Sequence, residues 1–252
     1  MTPLEANLRA VQKRIATAAG RAGRDPGEIT LVAVSKTQSP QTIRIAYDLG
    51  LRDFGENRVE EAEAKVDELP HDITWHMIGH IQSRKAKQVM PLFGMIHSVD
   101  SVKLARRLDR LGAEQAEPMP VLLEFNVSGE ASKYGFDAER WTEDAEQRSA
   151  VLAAVEQILT LAHLRVQGLM TMAPIVIDPE EARPVFVRLR QLRDGLAEAF
   201  PHVEWRHLSM GMTDDFEVAI EEGATLVRVG RAIFAPDLPP WRKGQAVQET
   251  EG

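Results

Sequence analysis

The chain reads as an α/β protein folded into a single (β/α)8 TIM barrel, and three observations predict it. Short apolar runs alternate with longer amphipathic segments almost from end to end, the pattern of βα units around a parallel sheet. Eight of the short runs have strand character. At 252 residues, the length matches the roughly 250 residues typical of such barrels.

An opening helix follows from Leu4, Leu8, Val11 and Ile15 at helical spacing. Strands are then expected at Leu31–Ser35, Asp53–Gly55, Trp75–Ile78, Met95–Val99, Val121–Phe125, Val166–Met170, Arg206–Ser209 and Thr225–Val229. Helical stretches fall between them at Pro40–Leu49, Arg58–Leu69, Ser83–Met90, Val102–Leu111, Arg148–Leu161, Pro179–Phe200 and Asp214–Glu222. The competing architecture is a doubly wound open sheet. It usually carries a glycine-rich turn after its first strand, and here that turn reads Ser35-Lys36-Thr37-Gln38-Ser39-Pro40. No repeat beyond the βα period and no low-complexity linker divides the chain, so one barrel domain over residues 1–235 is expected. From Pro236 onward, Pro239-Pro240 and a polar run read as a flexible tail over residues 236–252.

Composition narrows the classes of function. With 44% apolar and 27% charged residues the chain is globular in character. Cysteine is absent, which excludes disulfides, thiol nucleophiles and thiolate metal sites. A net charge of -8 argues against a general nucleic-acid binder. The opening Met1-Thr2-Pro3-Leu4-Glu5 lacks a basic stretch followed by an apolar segment, and no apolar run approaches membrane-spanning length. The expectation is a cytoplasmic protein without membrane association.

Candidate chemistry starts at Lys36, where the apolar run Leu31-Val32-Ala33-Val34-Ser35 stops. An amine held beside an apolar interior is biased toward its neutral, nucleophilic form, which attacks carbonyls and forms a Schiff base. On spacing alone a solvated lysine is the commoner outcome; the barrel around it shifts the balance. Barrel chemistry gathers at the carboxyl ends of the strands, and phosphate groups commonly sit in the loops after strands seven and eight. Those loops read Ser209-Met210-Gly211-Met212-Thr213-Asp214-Asp215 and Gly230-Arg231. Their glycines allow close backbone approach, Ser209 and Thr213 offer hydroxyls, and each loop can aim N–H groups at an anion. Alone, either loop reads better as turn glycines with Thr213 capping a helix; together, at the expected strand ends, they read as a phosphate cup. Arg228 interrupts the apolar strand Leu226-Val227-Arg228-Val229. Pointing inward it must be paired or meet a ligand; pointing outward it would pair with a helix carboxylate, and both orientations stay open here. A strand-end lysine, a phosphate cup and a strand arginine together specify pyridoxal phosphate.

Longer segments carry a more specific signal. These are Val34-Ser35-Lys36-Thr37, Phe54-Gly55-Glu56-Asn57, His76-Met77-Ile78-Gly79-His80-Ile81-Gln82, Asn126-Val127-Ser128-Gly129-Glu130-Ala131-Ser132-Lys133-Tyr134-Gly135, Gly168-Leu169-Met170-Thr171-Met172, Ser209-Met210-Gly211-Met212-Thr213-Asp214-Asp215-Phe216 and Arg228-Val229-Gly230-Arg231. In order along residues 31–235, they closely resemble the pyridoxal phosphate homeostasis proteins, single-barrel relatives of the alanine racemase N-terminal domain. The resemblance implies that Lys36 carries pyridoxal 5'-phosphate as a Schiff base and that Ser209, Met210, Gly211 and Gly230 surround its phosphate. It also implies that Arg228 faces the pyridine nitrogen and that Asn57 lines the pocket. His80 departs from the leucine expected in many relatives.

Turnover requires more than a bound cofactor. Racemisation needs a proton acceptor on one face of the substrate carbon and a donor on the other, with a ring able to hold the carbanion. The racemase takes its second group from an additional β domain, and neither Tyr47 nor Tyr134 lies in a segment resembling its catalytic tyrosine. An arginine against the ring nitrogen makes a weak electron sink, because a guanidinium donates a hydrogen bond without readily giving up its proton. The expectation is a non-enzymatic carrier with no catalytic residue. It would store and deliver the cofactor as a monomer, with cofactor-dependent apoenzymes as recipients. An amino-acid racemase, and a barrel binding a phosphorylated metabolite without a Schiff base, are the alternatives.

Other constellations read more plainly. His71, His76 and His80 suggest a metal, but Trp75–Ile78 reads as strand and no acidic residue completes the set nearby. Asp214-Asp215 load the first turn of a helix with negative charge. Arg84, Lys85 and Lys87 form a solvated basic face, and the Met170/Met172 and Met210/Met212 pairs are adaptable packing at the barrel mouth.

Overall fold

The computed structural model describes residues 2–235; the expected tail at 236–252 lies outside the described residues. Eight parallel strands close into the barrel: β1 (Thr30–Val34), β2 (Asp53–Glu56), β3 (Thr74–Met77), β4 (Met95–Val99), β5 (Met119–Asn126), β7 (Leu164–Met170), β8 (His207–Ser209) and β9 (Leu226–Val229). The ring runs β4-β3-β2-β1-β9-β8-β7-β5, and pairing of β4 with β5 closes it. A two-residue strand, β6 (Phe136–Asp137), lies parallel to the end of β5 and outside the ring.

Side-chain alternation along each strand divides the apolar residues into two clusters. Outward positions such as Ala33, Phe54, Trp75, Ile96, Leu123, Leu169, Leu208 and Val227 join the main core under the helices. Inward positions Val32, Leu122, Met170 and Leu226 form a separate cluster with Met95. Further buried inward positions are polar, among them His76, His97, Glu124, Asn126, Ser209 and Arg228. That inner polar layer positions the site.

The opening helix α1 (Pro3–Arg21) begins where Thr2 Oγ1 accepts from Glu5 N at 3.2 Å, and it buries Leu8, Val11 and Ile15. It packs on α8 (Phe216–Glu221) and α9 (Arg231–Phe234), the two short helices after the last strands. Around the ring lie α2 (Pro40–Asp48), α3 (Val59–Val66), α4 (Ala86–Val89), α5 (Val102–Gly112), α6 (Ala145–Leu159) and α7 (Arg183–Ala199).

Several bounds differ from expectation for local reasons. The helix expected at Ser83–Met90 divides into a 3-10 turn, Ser83–Lys85, and the single turn of α4. The start of α6 is earlier than expected, because Asp144 Oδ1 accepts from both Glu146 N and Gln147 N. Thr213 does not cap α8. Asp215 occupies that place, and its carboxylate instead accepts from Met212 N at 2.6 Å, so the Asp pair precedes the helix rather than loading its first turn. Among the described residues, no helix is long and apolar enough to cross a membrane.

Candidate functional site

Along β1 the inward positions Val32 and Val34 lead to Lys36, two residues past the strand. A buried clamp fixes this strand end. Ser35 N donates to Gly55 O at 3.0 Å, Ser35 Oγ donates to Glu56 Oε1 at 2.7 Å, and Lys65 Nζ from α3 reaches Ser35 O at 3.0 Å and Glu56 Oε1 at 2.9 Å. Burial pushes the Glu56 carboxyl upward, against the bonds from Ser35 and Lys65. On the other side of Lys36, Thr37 has φ 63 and its N–H meets Glu61 Oε2 at 3.1 Å. A β-branched residue in the left-handed region is strained backbone. Lys36 itself is exposed; the apolar enclosure expected from the sequence is not what surrounds it.

Arg228 settles the orientation left open above. It is buried, and it donates from Nη1 to Ser209 Oγ at 2.6 Å and from Nη2 to Thr171 O at 2.9 Å. Its guanidinium carries five N–H groups, so donors remain for a further acceptor. Burial pulls its pKa down to about 10, with Asp215 and Glu124 opposing, and at neutral pH it stays cationic. Glu124 on β5 is its lumen counterpart. The carboxyl is 5% exposed, its Oε2 has no partner, and burial, helped by the charge of Asp100, pushes its pKa up to about 7.

The two loops expected to hold a phosphate lie next to these groups. Gly211 has φ 92, and a Cβ there would sit 2.6 Å from Ala219 Cβ and 2.9 Å from Phe216 Cα, so glycine is needed for both conformation and space. At Gly230 a Cβ would meet Val34 O at 3.1 Å, which places this loop against the strand end that carries Lys36. Ser209 and Met210 are more committed than the sequence implied. The Ser209 hydroxyl is engaged inside the barrel by Arg228 and by His97 Nδ1 at 2.9 Å. Met210 is buried in the core and gives its N–H to Leu226 O at 3.2 Å. Opposite, Thr213 Oγ1 accepts from Ala232 N at 3.4 Å, tying the two loops together.

Asn57 follows β2 in a cleft shared with Thr37, Arg58, Gly79 and His80; a Cβ on Gly79 would lie 2.2 Å from Asn57 O. The structure therefore sets Asn57 in a cleft with Thr37, the residue after Lys36, and neither Lys36 nor the Arg228–Ser209 pair lines it. An adjoining cavity of about 640 Å³ is lined by His80, Asp100, Asn126, Lys133 and Tyr134 among others. There the His80 ring stacks on Tyr134 at 3.9 Å and its Nδ1 meets Asp100 Oδ2 at 2.8 Å. His76 instead points into the lumen, so His76 and His80 do not converge. No group of three potential metal-ligating side chains occurs among the described residues. Within the basic cluster, Lys85 pairs with Glu60 and Arg84 donates to Gln82 Oε1 at 2.9 Å. Sequence reasoning missed Glu56, Lys65, Glu124 and His97.

Residues 6–237 match the family model described as alanine racemase, N-terminal domain. The chain is 42% identical over 228 residues to the pyridoxal phosphate homeostasis protein of Aquifex aeolicus, covering 90% of this chain and 95% of that one. It is 41% identical over 237 residues to the protein of the same name from Pseudomonas aeruginosa, covering 93% and 96%. Among solved structures it is similar to PipY of Synechococcus elongatus with PLP bound, with a TM-score of 0.73, 36% identity, and coverage of 88% of this chain and all of that one.

Proposed function

Because this chain belongs to the pyridoxal phosphate homeostasis family, built on the alanine racemase N-terminal-domain barrel, we propose that it binds, stores and delivers pyridoxal 5'-phosphate without turning over a substrate. The observation that carries this reading is the buried, inward Arg228, held by Ser209 and Thr171 beneath the strand ends that bear Lys36 and Gly230. When bound, the cofactor supplies an aldehyde that a lysine amine holds as a reversible Schiff base.

The residues present fit such a group. Lys36 offers an exposed amine, open to water in both directions of a reversible linkage. Gly211 and Gly230 leave room for close backbone approach that a side chain would fill, which suits a phosphate. Arg228 presents a donor to a ring nitrogen and, staying cationic at neutral pH, keeps its own proton. A ring nitrogen that receives a hydrogen bond but no proton is a poor electron sink, which favours holding over turnover. Asn57 lies in the cleft with Thr37, next in the chain to Lys36. We place the protein in the cytoplasm as a monomer, with cofactor-requiring apoenzymes as recipients; the relatives' naming as homeostasis proteins supports a role of this kind.

The test is the visible absorption of the purified protein with and without pyridoxal 5'-phosphate, repeated on Lys36→Ala, with borohydride reduction and peptide mapping. A yellow band lost in the variant and a reduced adduct on Lys36 are expected. A protein that takes up no cofactor would refute the proposal. Exchange of an amino-acid α-hydrogen in deuterated water, lost in Lys36→Ala, would instead make it an enzyme.

A further inference from the structure

A single hydrogen-bonded chain crosses the lumen from the first residue of β2 to Arg228. Asp53 Oδ1 lies 2.9 Å from His76 Nε2, His76 Nδ1 lies 2.9 Å from His97 Nε2, and His97 Nδ1 lies 2.9 Å from Ser209 Oγ, which accepts from Arg228 Nη1 at 2.6 Å. Chemistry at the Asp53 end fixes its direction. A guanidinium can only donate and a carboxylate can only accept. Ser209 Oγ accepts from Arg228 and keeps a second lone pair, so the arginine end alone would let the His97 link run either way. An ionised Asp53 requires His76 to present Nε2–H, and a neutral His76 then accepts at Nδ1 from His97 Nε2–H. A neutral His97 in turn accepts at Nδ1, and Ser209 gives it the hydroxyl proton. With Asp53 ionised, no other arrangement of two neutral rings satisfies all four links. A second proton on His97 would make Ser209 Oγ accept from both His97 and Arg228 and release the hydroxyl proton, so the order above belongs to the neutral rings.

We infer that His76 and His97 are positioning residues for the cofactor site: as neutral Nε2–H tautomers they fix the Ser209 hydroxyl and, through it, the Arg228 guanidinium that faces the ring nitrogen. The inference rests on the cofactor role proposed above. It assigns a use to two buried histidines that no other part of the site explains. Burial, with His76, Arg228 and His207 adding to it, holds the His97 pKa well below its ordinary value and keeps that ring neutral. The other ionisable groups that act on the chain are Glu124 from β5, His207 from β8 and Asp215 beside Arg228. His207 turns to Thr225 Oγ1 at 3.2 Å, away from the chain. A further consequence concerns Ser209: while its proton is committed to His97, its hydroxyl cannot also donate to a phosphate.

Two variants separate positioning from packing. His97→Phe removes both ring nitrogens at the centre. Asp53→Asn acts at the opposite end of the barrel from Lys36, and its amide can accept or donate, so both directions of the chain become possible. Nitrogen-15 NMR of the histidine rings in the cofactor-free protein at pH 8 should show Nε2–H tautomers at both sites, and mixed tautomers in Asp53→Asn. Titration with pyridoxal 5'-phosphate should give about tenfold weaker binding in His97→Phe, and several-fold weaker binding in Asp53→Asn at unchanged melting temperature. Nδ1–H or charged rings in the wild type would overturn the chain itself. Correct tautomers with undiminished affinity in Asp53→Asn would overturn the positioning role. Failure of the wild type to take up the cofactor would sink the proposed function and this role with it, yet would leave the tautomer result standing.

Discussion

Glu124→Gln tests the electrostatics of the lumen in a single substitution. The Glu124 carboxyl is 5% exposed and one of its oxygens has no partner. Burial first, and Asp100 second, raise its pKa from an ordinary 4.5 to about 7, with Arg228 opposing. A carboxyl whose folded pKa lies above its unfolded value binds more protons in the native state between those two values. Its contribution therefore favours the fold fully below the unfolded value and fades as pH rises through about 7. At 1.36 kcal/mol per unit the whole range corresponds to about 3 kcal/mol, of which about 2 kcal/mol falls between pH 5.5 and pH 8. Glutamine keeps the shape and stays neutral throughout. Urea unfolding of cofactor-free wild type and variant at several pH values in this window gives the difference directly, because other titrating groups cancel. The variant should gain about 2 kcal/mol on the wild type from pH 5.5 to pH 8, equivalent to about 4–8 °C in melting temperature for a chain of this length. Parallel stability curves would refute the assignment of a buried, half-titrated carboxyl at this position.

Lys65→Met removes the cation from the clamp behind Lys36 and leaves Glu56 buried with no counter-charge. A loss of about 3–5 kcal/mol is expected, and the double variant Lys65→Met/Glu56→Leu should recover much of it in the same denaturation assay; equal losses would show that the pair is not the reason. Gly211→Ala meets both a left-handed backbone and a Cβ contact at 2.6 Å, whereas Gly50→Ala, at φ 101, meets nothing within 4 Å. The Gly50 variant should lose about 1–2 kcal/mol from conformation alone, and the Gly211 variant clearly more. Equal costs in urea unfolding would mean that the loop after β8 yields freely.

Strand order and the barrel class were legible because buried parallel strands leave short apolar runs between amphipathic helices, a pattern independent of tertiary detail. Every one of the eight expected strands overlaps one in the ring. What escaped was set by single capping or packing contacts. Asp144 starts α6 through its carboxylate, before the apolar period begins. The four residues of α9 are too few to show a helical period, and they form where Gly230 O accepts from Ile233 N and Phe234 N. Likewise β6 is two residues long and exists because the chain returns alongside Phe125 and Asn126.

The site divides along the same physical line. Lys36, Arg228, Gly211 and Gly230 could be singled out because each breaks a local pattern: a charge ends or interrupts an apolar strand, or a glycine marks a loop at a strand end. His76 and His97, like Arg228, are polar residues at inward positions of short strands and must likewise be paired or meet a ligand. In sequence His76 reads as a metal ligand beside His80, four residues away, although alternation within a strand and the turn that follows send the two to different places. Pairing His76 with His97, from the next strand, needs the register that sets His76 beside Met95 and brings Met77 opposite Ile96. No local spacing contains that information. Ser209 makes the point most sharply: its position in the loop suggested a phosphate ligand, while the lumen claims its hydroxyl for Arg228 and His97. Residues that break a local pattern can be found from sequence, but the partner that a buried polar group chooses is decided by strand register, and in this barrel register links the arginine to a carboxylate at the other end.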